Sequence, residues 1–195
     1  MFNIDNYIKD SIETKNKILD DQTIKSSIKT VAGVMISSLK SGKKILVAGN
    51  GGSAADAQHF AGELVSKFFF DRPGLPAFAL TTDTSILTAI GNDYGYERSI
   101  SRQVQAVGMQ GDVFLGISTS GNSNNIVKAI EEAKNKNIIT VGLVGQKECL
   151  MDKLCDYSIK VPSLVTPTIQ ESQLMIEHMI CAIIEDRIFG EKYDN

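Results

Sequence analysis

Tryptophan is absent from this sequence; histidine occurs twice, cysteine three times and proline four times in 195 residues. Each scarcity excludes something. Cys149, Cys155 and Cys181 are odd in number and lack a metal-ligand spacing. They form neither a disulfide framework nor a cysteine-based zinc site, no motif frames any of them as a nucleophile, and they read as free thiols in a reducing cytoplasm. There is no basic excess: 20 Lys and Arg stand against 23 Asp and Glu, a net charge of −3, so a nucleic-acid partner is not expected. No window approaches about 20 uninterrupted apolar residues, so no membrane span is expected. The opening MFNIDNYIKDSIETKNKI has no basic stretch leading into an apolar run and is not read as a secretory signal. No Pro/Gly/Ser linker, repeat or low-complexity tract divides the chain, and its length suits one domain over residues 1–195 with one sizeable core.

What is present is an alternation. Ile4, Tyr7, Ile8, Ile12 and Ile18 recur at helical spacing over 4–20, and Ile24, Ile28, Val31, Met35 and Leu39 over about 22–40. Short apolar runs then predict strands at 44–49, 76–80, 112–118, 138–145 and 157–161. Helices are expected at 53–68, 83–91, 97–107 and 122–136, with GNDYGY (91–96) as a turn, and Pro167 opens a long last helix to about Phe189. Strands alternating with helices imply right-handed crossovers and a parallel sheet covered on both faces. The two helices before the first strand and the long one after the last need more surface than the sheet offers, which points to packing between subunits.

Two strand ends are chemically unusual. GNGGSAA follows the first strand, and GISTSGNSNN (116–125) ends the third. The second loop offers Ser118, Thr119, Ser120 and Ser123 at a strand–helix junction, where free N–H groups and the positive end of the helix dipole meet. That suits an anion with several acceptor oxygens, such as a phosphate monoester. The plainer reading is that these residues only cap helices and fill a turn. The first loop also fits G-x-G-x-x-A through Gly49, Gly51 and Ala54, but the acid that a dinucleotide site needs comes only at Asp83, too far along.

Both histidines sit in helical segments. His59 has Glu63 four residues on, on the same face, and His178 lies in QLMIEHMI, where an ionisable group needs a partner. Histidine plus carboxylate at this spacing serves as a zinc pair or as an acid/base pair.

Taken together, GNGGSAADAQHFAGEL (49–64), RPGLPAFALTTD (72–83), GNDYGYERSISRQV (91–104), GDVFLGISTSGNSNN (111–125) and IQESQLMIEHMIC (169–181) resemble the SIS (sugar isomerase) domain family. Within it they are most similar to the branch that isomerises phosphorylated heptoses. The resemblance implies a three-layer α/β/α sandwich with a five-stranded parallel sheet, assembled as a homotetramer with sites at subunit interfaces. It implies aldose–ketose isomerisation of sedoheptulose 7-phosphate to D-glycero-D-manno-heptose 7-phosphate through an enediol, toward activated heptose for lipopolysaccharide or capsule. Carried over residue by residue, it implies that Ser53, Ser118, Thr119, Ser120 and Ser123 hold the phosphate. Asn50, Gly51 and Gly52 complete the first loop, and Asn92 and Asp93 meet sugar hydroxyls. Glu63 and His178 move the proton. His59, Glu63, Gln170 and His178 bind one zinc per subunit, with Gln170 and Glu63 also facing substrate.

Gln170 and His178 lie eight residues apart, about 12 Å along a helix, so both side chains must stretch to share an ion. The family is expected to carry an arginine immediately before Ile-Gln-Glu, where this chain has Thr168. The competing expectation is a non-catalytic SIS protein that senses a sugar phosphate or binds a replication-initiation protein; the Glu63/His178 pair argues for the enzyme. An isomerase for a five- or six-carbon sugar phosphate is a third reading, separated from the first by pocket length.

Overall fold

The computed structural model describes residues 3–190; the outer limits of the single domain expected over 1–195 lie outside them. Two helices come first, α1 (Ile4–Asp20) and α2 (Gln22–Lys40). The Asn3 carboxamide oxygen accepts from the Asn6 amide, and the Asp21 carboxylate from those of Thr23 and Ile24, so polar caps start both helices. β1 (Ile45–Ala48), α3 (Gly52–Val65), β2 (Ala77–Ala79), α4 (Thr84–Tyr94) and α5 (Ser101–Val107) follow. Then come β3 (Val113–Ser118), α6 (Asn124–Asn135), β4 (Ile139–Val144), α7 (Leu150–Leu154), β5 (Tyr157–Lys160) and α8 (Thr166–Phe189). A 3-10 turn over Tyr96–Arg98 sits between α4 and α5.

Three local expectations need correction. The turn at 91–96 is helix as far as Tyr94, because the spacing of Ile86, Leu87 and Ile90 runs on into GND; Gly95, at φ 86°, ends it. The helix expected to reach 68 stops at Val65, because the amides of Phe68 and Phe69 are taken by the Glu185 carboxylate. α7 is too short to leave a periodic signal.

All strand pairs are parallel, in the order β2-β1-β3-β4-β5. β1 and β3 are buried along their whole length, as a sheet covered on both faces requires. One apolar cluster joins α1, α2, α3 and α8 to one face of the sheet through residues such as Met35, Val47, Phe60, Leu115 and Ile180. A second, including Leu46, Phe114, Val104, Ile126 and Ile130, covers the other face with α5 and α6. The chain therefore leaves β1 for one face and the adjacent β3 for the opposite face. That reversal opens a crevice between two neighbouring strand ends, the place where open parallel sheets bind ligands. The two polar loops flank it. Among the described residues no helix is long and apolar enough to cross a membrane.

Inside the first cluster lies an ionisable group out of place. Glu177 on α8 is fully buried, and neither of its carboxylate oxygens has a hydrogen-bond partner among the described residues. Burial, reinforced by the negative charge of Asp56, pushes its carboxyl from 4.5 up to about 9. A raised carboxyl costs stability as pH climbs: the unfolded chain gives up this proton near the ordinary value, whereas the folded chain must keep it. Glu177→Gln removes that cost. Its thermal midpoint is expected to match the parent's near about pH 5 and to exceed it by several degrees at about pH 8, read by circular dichroism. A constant difference across that range would show that Glu177 is charged and paired.

Candidate active site

The loop after β3 is built from its hydroxyls. Ser118 Oγ lies 3.0 Å from Ser123 Oγ and 3.4 Å from Ser120 Oγ, and it accepts from the Gly121 amide at 3.1 Å. Ser120 Oγ accepts from the Asn122 amide at 3.3 Å. Gly121 holds φ 64°, a left-handed turn that only glycine takes at little cost. Ser123 is the N-cap residue of α6, yet its hydroxyl makes no capping bond. The plainer reading as helix caps does not hold at Ser123, whereas Ser118 and Ser120 do fill the turn by accepting its amides. α3 likewise starts at Gly51 with no side-chain cap. Two helix starts thus aim first-turn N–H groups at one crevice. Neither loop contains a lysine or arginine, so hydroxyls, amides and dipoles are what the loops themselves offer an anion. Ser118 and Ser53 are buried at the back, whereas Ser120, Gly51 and Gly52 are exposed at the mouth.

The two loops are tied together. Asn50 and Asn125 exchange hydrogen bonds, each Nδ2 donating to the other's Oδ1 at 2.9 Å. Tyr96 Oη donates to Asn50 Oδ1 at 2.7 Å. The Asn50 amide, expected to meet substrate, is thus engaged in bracing the crevice. Asn92 and Asp93 are exposed at the end of α4 and bond to each other at 2.8 Å. They stand a few residues from Tyr96, which reaches the loop itself.

Above the cradle, α3 and α8 bring distant residues together. His59 Nε2 lies 2.8 Å from His178 Nε2 and 3.3 Å from Glu63 Oε1. The imidazole rings are 5.0 Å apart, edge to face, and Phe68 leans on His178 at 5.7 Å. His59, Glu63 and His178 therefore meet within one chain. Gln170 does not join them. Its Nε2 donates to both oxygens of Asp56 at 2.8 Å, and its carboxamide lies 3.3 Å from where a Cβ on Gly52 would stand. Burial raises the Asp56 carboxyl above its ordinary value, against the lowering effect of the Gln170 bond and of His59.

As donors, imidazole nitrogen and carboxylate oxygen fit zinc, and Gln170 turns its NH2 to Asp56, which leaves its oxygen as the free end. The spacing is that of a hydrogen bond: two nitrogens on one tetrahedral zinc stand about 3.3 Å apart, wider than the 2.8 Å here. Among the described residues no three His, Cys, Asp or Glu side chains converge on a metal position.

The cysteines take no part. All three are free; burial pushes the Cys155 thiol up to about 12, and burial likewise raises Cys181. Thr168, standing where an arginine was expected, is buried and offers no charge to an anion. Four polar residues at the site left no distinct signal in the sequence. Asn125 and Tyr96 look like ordinary helix-start and turn residues. Asp56 could have been noticed three residues before His59, on the same helix face, and Arg72 lies within a stretch that resembles the family.

Comparison with known proteins identifies the family. Residues 6–145 match the SIS domain model. The phosphoheptose isomerase of Aneurinibacillus thermoaerophilus is 61% identical over 97% of this chain and 96% of its own length. Phosphoheptose isomerase 2 of Campylobacter jejuni is 58% identical over 99% and 98%. Among solved structures, a phosphoheptose isomerase from Francisella tularensis superposes with a TM-score of 0.90 at 38% identity, covering 94% of this chain and 96% of that one. With a hydroxyl cradle at the sheet's reversal point, a histidine–carboxylate cluster beside it and these relatives along nearly its whole length, the chain belongs to the SIS domain family and, within it, to the phosphoheptose isomerases.

Proposed function

We propose that this enzyme interconverts sedoheptulose 7-phosphate and D-glycero-D-manno-heptose 7-phosphate, an early step toward activated heptose, with the phosphate in the Ser53/Ser118–Ser123 crevice and the carbonyl end beside Glu63 and His178. The observation that carries this reading is the contact of His59 Nε2 with His178 Nε2 at 2.8 Å, with Glu63 3.3 Å from His59. His59 lies six residues beyond Ser53, so the cluster stands about 9 Å up α3 from the cradle. That suits a sugar anchored by one end and reacting at the other.

The reaction moves hydrogen without a net change of atoms. One basic group takes the proton from C1 of the ketose. The electron pair forms the C1–C2 double bond while the C2 oxygen gains a proton, giving the enediol. Returning a proton to C2 as the C1 hydroxyl loses its own yields the aldehyde. Two groups are needed, one for carbon-bound and one for oxygen-bound protons, and Glu63 and His178 are the pair assigned here. His59 lies between them and can orient both.

Zinc remains part of the proposal: His59, Glu63, His178 and the Gln170 oxygen are the residues that would hold it, and as a Lewis acid it would polarise the carbonyl. A homotetramer is also proposed. α4 has no buried residue, and its Ile86 and Ile90 line a groove of about 580 Å³ beside the edge strand β2. Ile4, Ile8 and Ile12 form an exposed stripe on α1. Both surfaces suit cover by further copies of the chain.

Purified protein is expected to consume sedoheptulose 7-phosphate, and Glu63→Gln or His178→Gln should lower kcat by at least about a thousandfold with the fold intact by circular dichroism. Near-parental turnover in either variant would refute the proton-transfer assignment. Ser120→Ala should raise KM several-fold and leave kcat within about twofold, because this hydroxyl serves ground and transition states alike; initial-rate kinetics separates the two effects. Chelator treatment should remove zinc, measured by mass spectrometry, and activity together. An enzyme that is fully active without metal would end the zinc part alone.

A further inference from the structure

α3 and α8 touch along a polar seam with three stations. Gln170 meets Asp56, His178 meets His59, and Glu185 meets Arg72 just beyond the end of α3. Gln170, His178 and Glu185 follow one another at eight and seven residues, so all three project from one face of α8. The third station differs from the others. Its two side chains are 0% exposed, and the function described above makes no use of them.

Arg72 caps the helix that carries the cluster. Its Nη2 donates to the carbonyl of Glu63 at 2.8 Å, and its Nη1 to those of Leu64 at 2.6 Å, Ser66 at 3.1 Å and Pro73 at 3.2 Å. Those of Glu63, Leu64 and Ser66 are carbonyls that the end of α3 leaves without intrahelical partners, and a cation there also suits the dipole. Its Nε donates to Glu185 Oε1 at 3.0 Å. The same carboxylate accepts from the amides of Phe68 at 2.8 Å and Phe69 at 2.6 Å. One buried ion pair therefore fastens the last turn of α3 and the loop after it to α8. Through that loop it also seats the Phe68 ring against His178.

We propose that the Arg72–Glu185 pair is a positioning device for isomerisation: it holds the backbone of Glu63 against α8 and so fixes where the Glu63 carboxylate stands relative to His59 and His178. The inference rests on the assignment of Glu63 and His178 as the proton-moving groups. The phosphate cradle lies at the start of α3, ten residues before Glu63, so loosening a clamp at the other end of the helix should disturb chemistry and spare anchoring.

The test uses the full chain with Arg72→Lys, which keeps a cation beside Glu185 but loses the fork onto α3, and with Glu185→Gln. Each is assayed with sedoheptulose 7-phosphate, with inorganic phosphate as competitive inhibitor and circular dichroism as the measure of folded fraction. The expected result is kcat per folded molecule about ten- to a hundredfold lower, the effect of a misplacement near 1 Å, with KM and the phosphate inhibition constant within about twofold of the parent. Either variant that unfolds is measured again in sucrose, which restores the compact state and not the lost hydrogen bonds. Activity that returns in step with folding, or a folded Arg72→Lys with parental kcat, would overturn the proposal. A parent inactive on this sugar while binding phosphate would overturn the assignment beneath it as well, and Glu63→Gln run in parallel tells the two failures apart.

Discussion

Two imidazole nitrogens 2.8 Å apart, from residues 119 positions apart in sequence, set the terms for the rest of the molecule. Such a contact exists only if α3 and α8 keep one relative height and rotation. The parallel sheet supplies a floor for α3, and Phe60, Leu64, Ile176 and Ile180 bury apolar surface beside it. Apolar packing is tolerant of small slides, whereas hydrogen bonds are not. The polar stations along the seam are what turn a greasy contact between helices into a defined one.

The hydroxyl loop after β3, to which we assign the phosphate, shows a related economy. A guanidinium or ammonium group would bind phosphate more strongly, but it would bind any phosphate. Hydroxyls braced against one another, as Ser118 is by Ser123 and the Gly121 amide, present acceptors and donors in set directions. Asn50 and Asn125 complete the brace by joining loops whose helices pack on opposite faces of the sheet.

Much of this was legible in the sequence, for identifiable reasons. Strands such as VFLGIS and ITVGLV are uniformly apolar because both faces are covered, and a uniform run is easy to see. Ser118 to Ser123 stood out because hydroxyls are dense there, and His59 with Glu63 because four residues is one helical turn. The tie between Gln170 and Asp56 was invisible, since it depends on which residue α3 presents to α8, a tertiary fact. The same holds for the bonds of Asn50 to Asn125 and Tyr96, which join residues far apart in sequence. Arg72 and Glu185 are 113 residues apart, and nothing local distinguishes a buried pair from two surface charges. Glu177 shows the limit from the other side: its neighbours Ile176 and Ile180 announce a buried helix face, but not that an acid would share it.

The elevated thiols carry a consequence for chemical durability. Electrophiles and peroxides attack thiolate, and burial holds the Cys155 thiol in its protonated form, far above its ordinary range. Cys181, one turn past His178, is protected in the same way. Sulfur can therefore fill space beside His178 and Glu63 while staying out of reach of oxidants that attack an ionised cysteine.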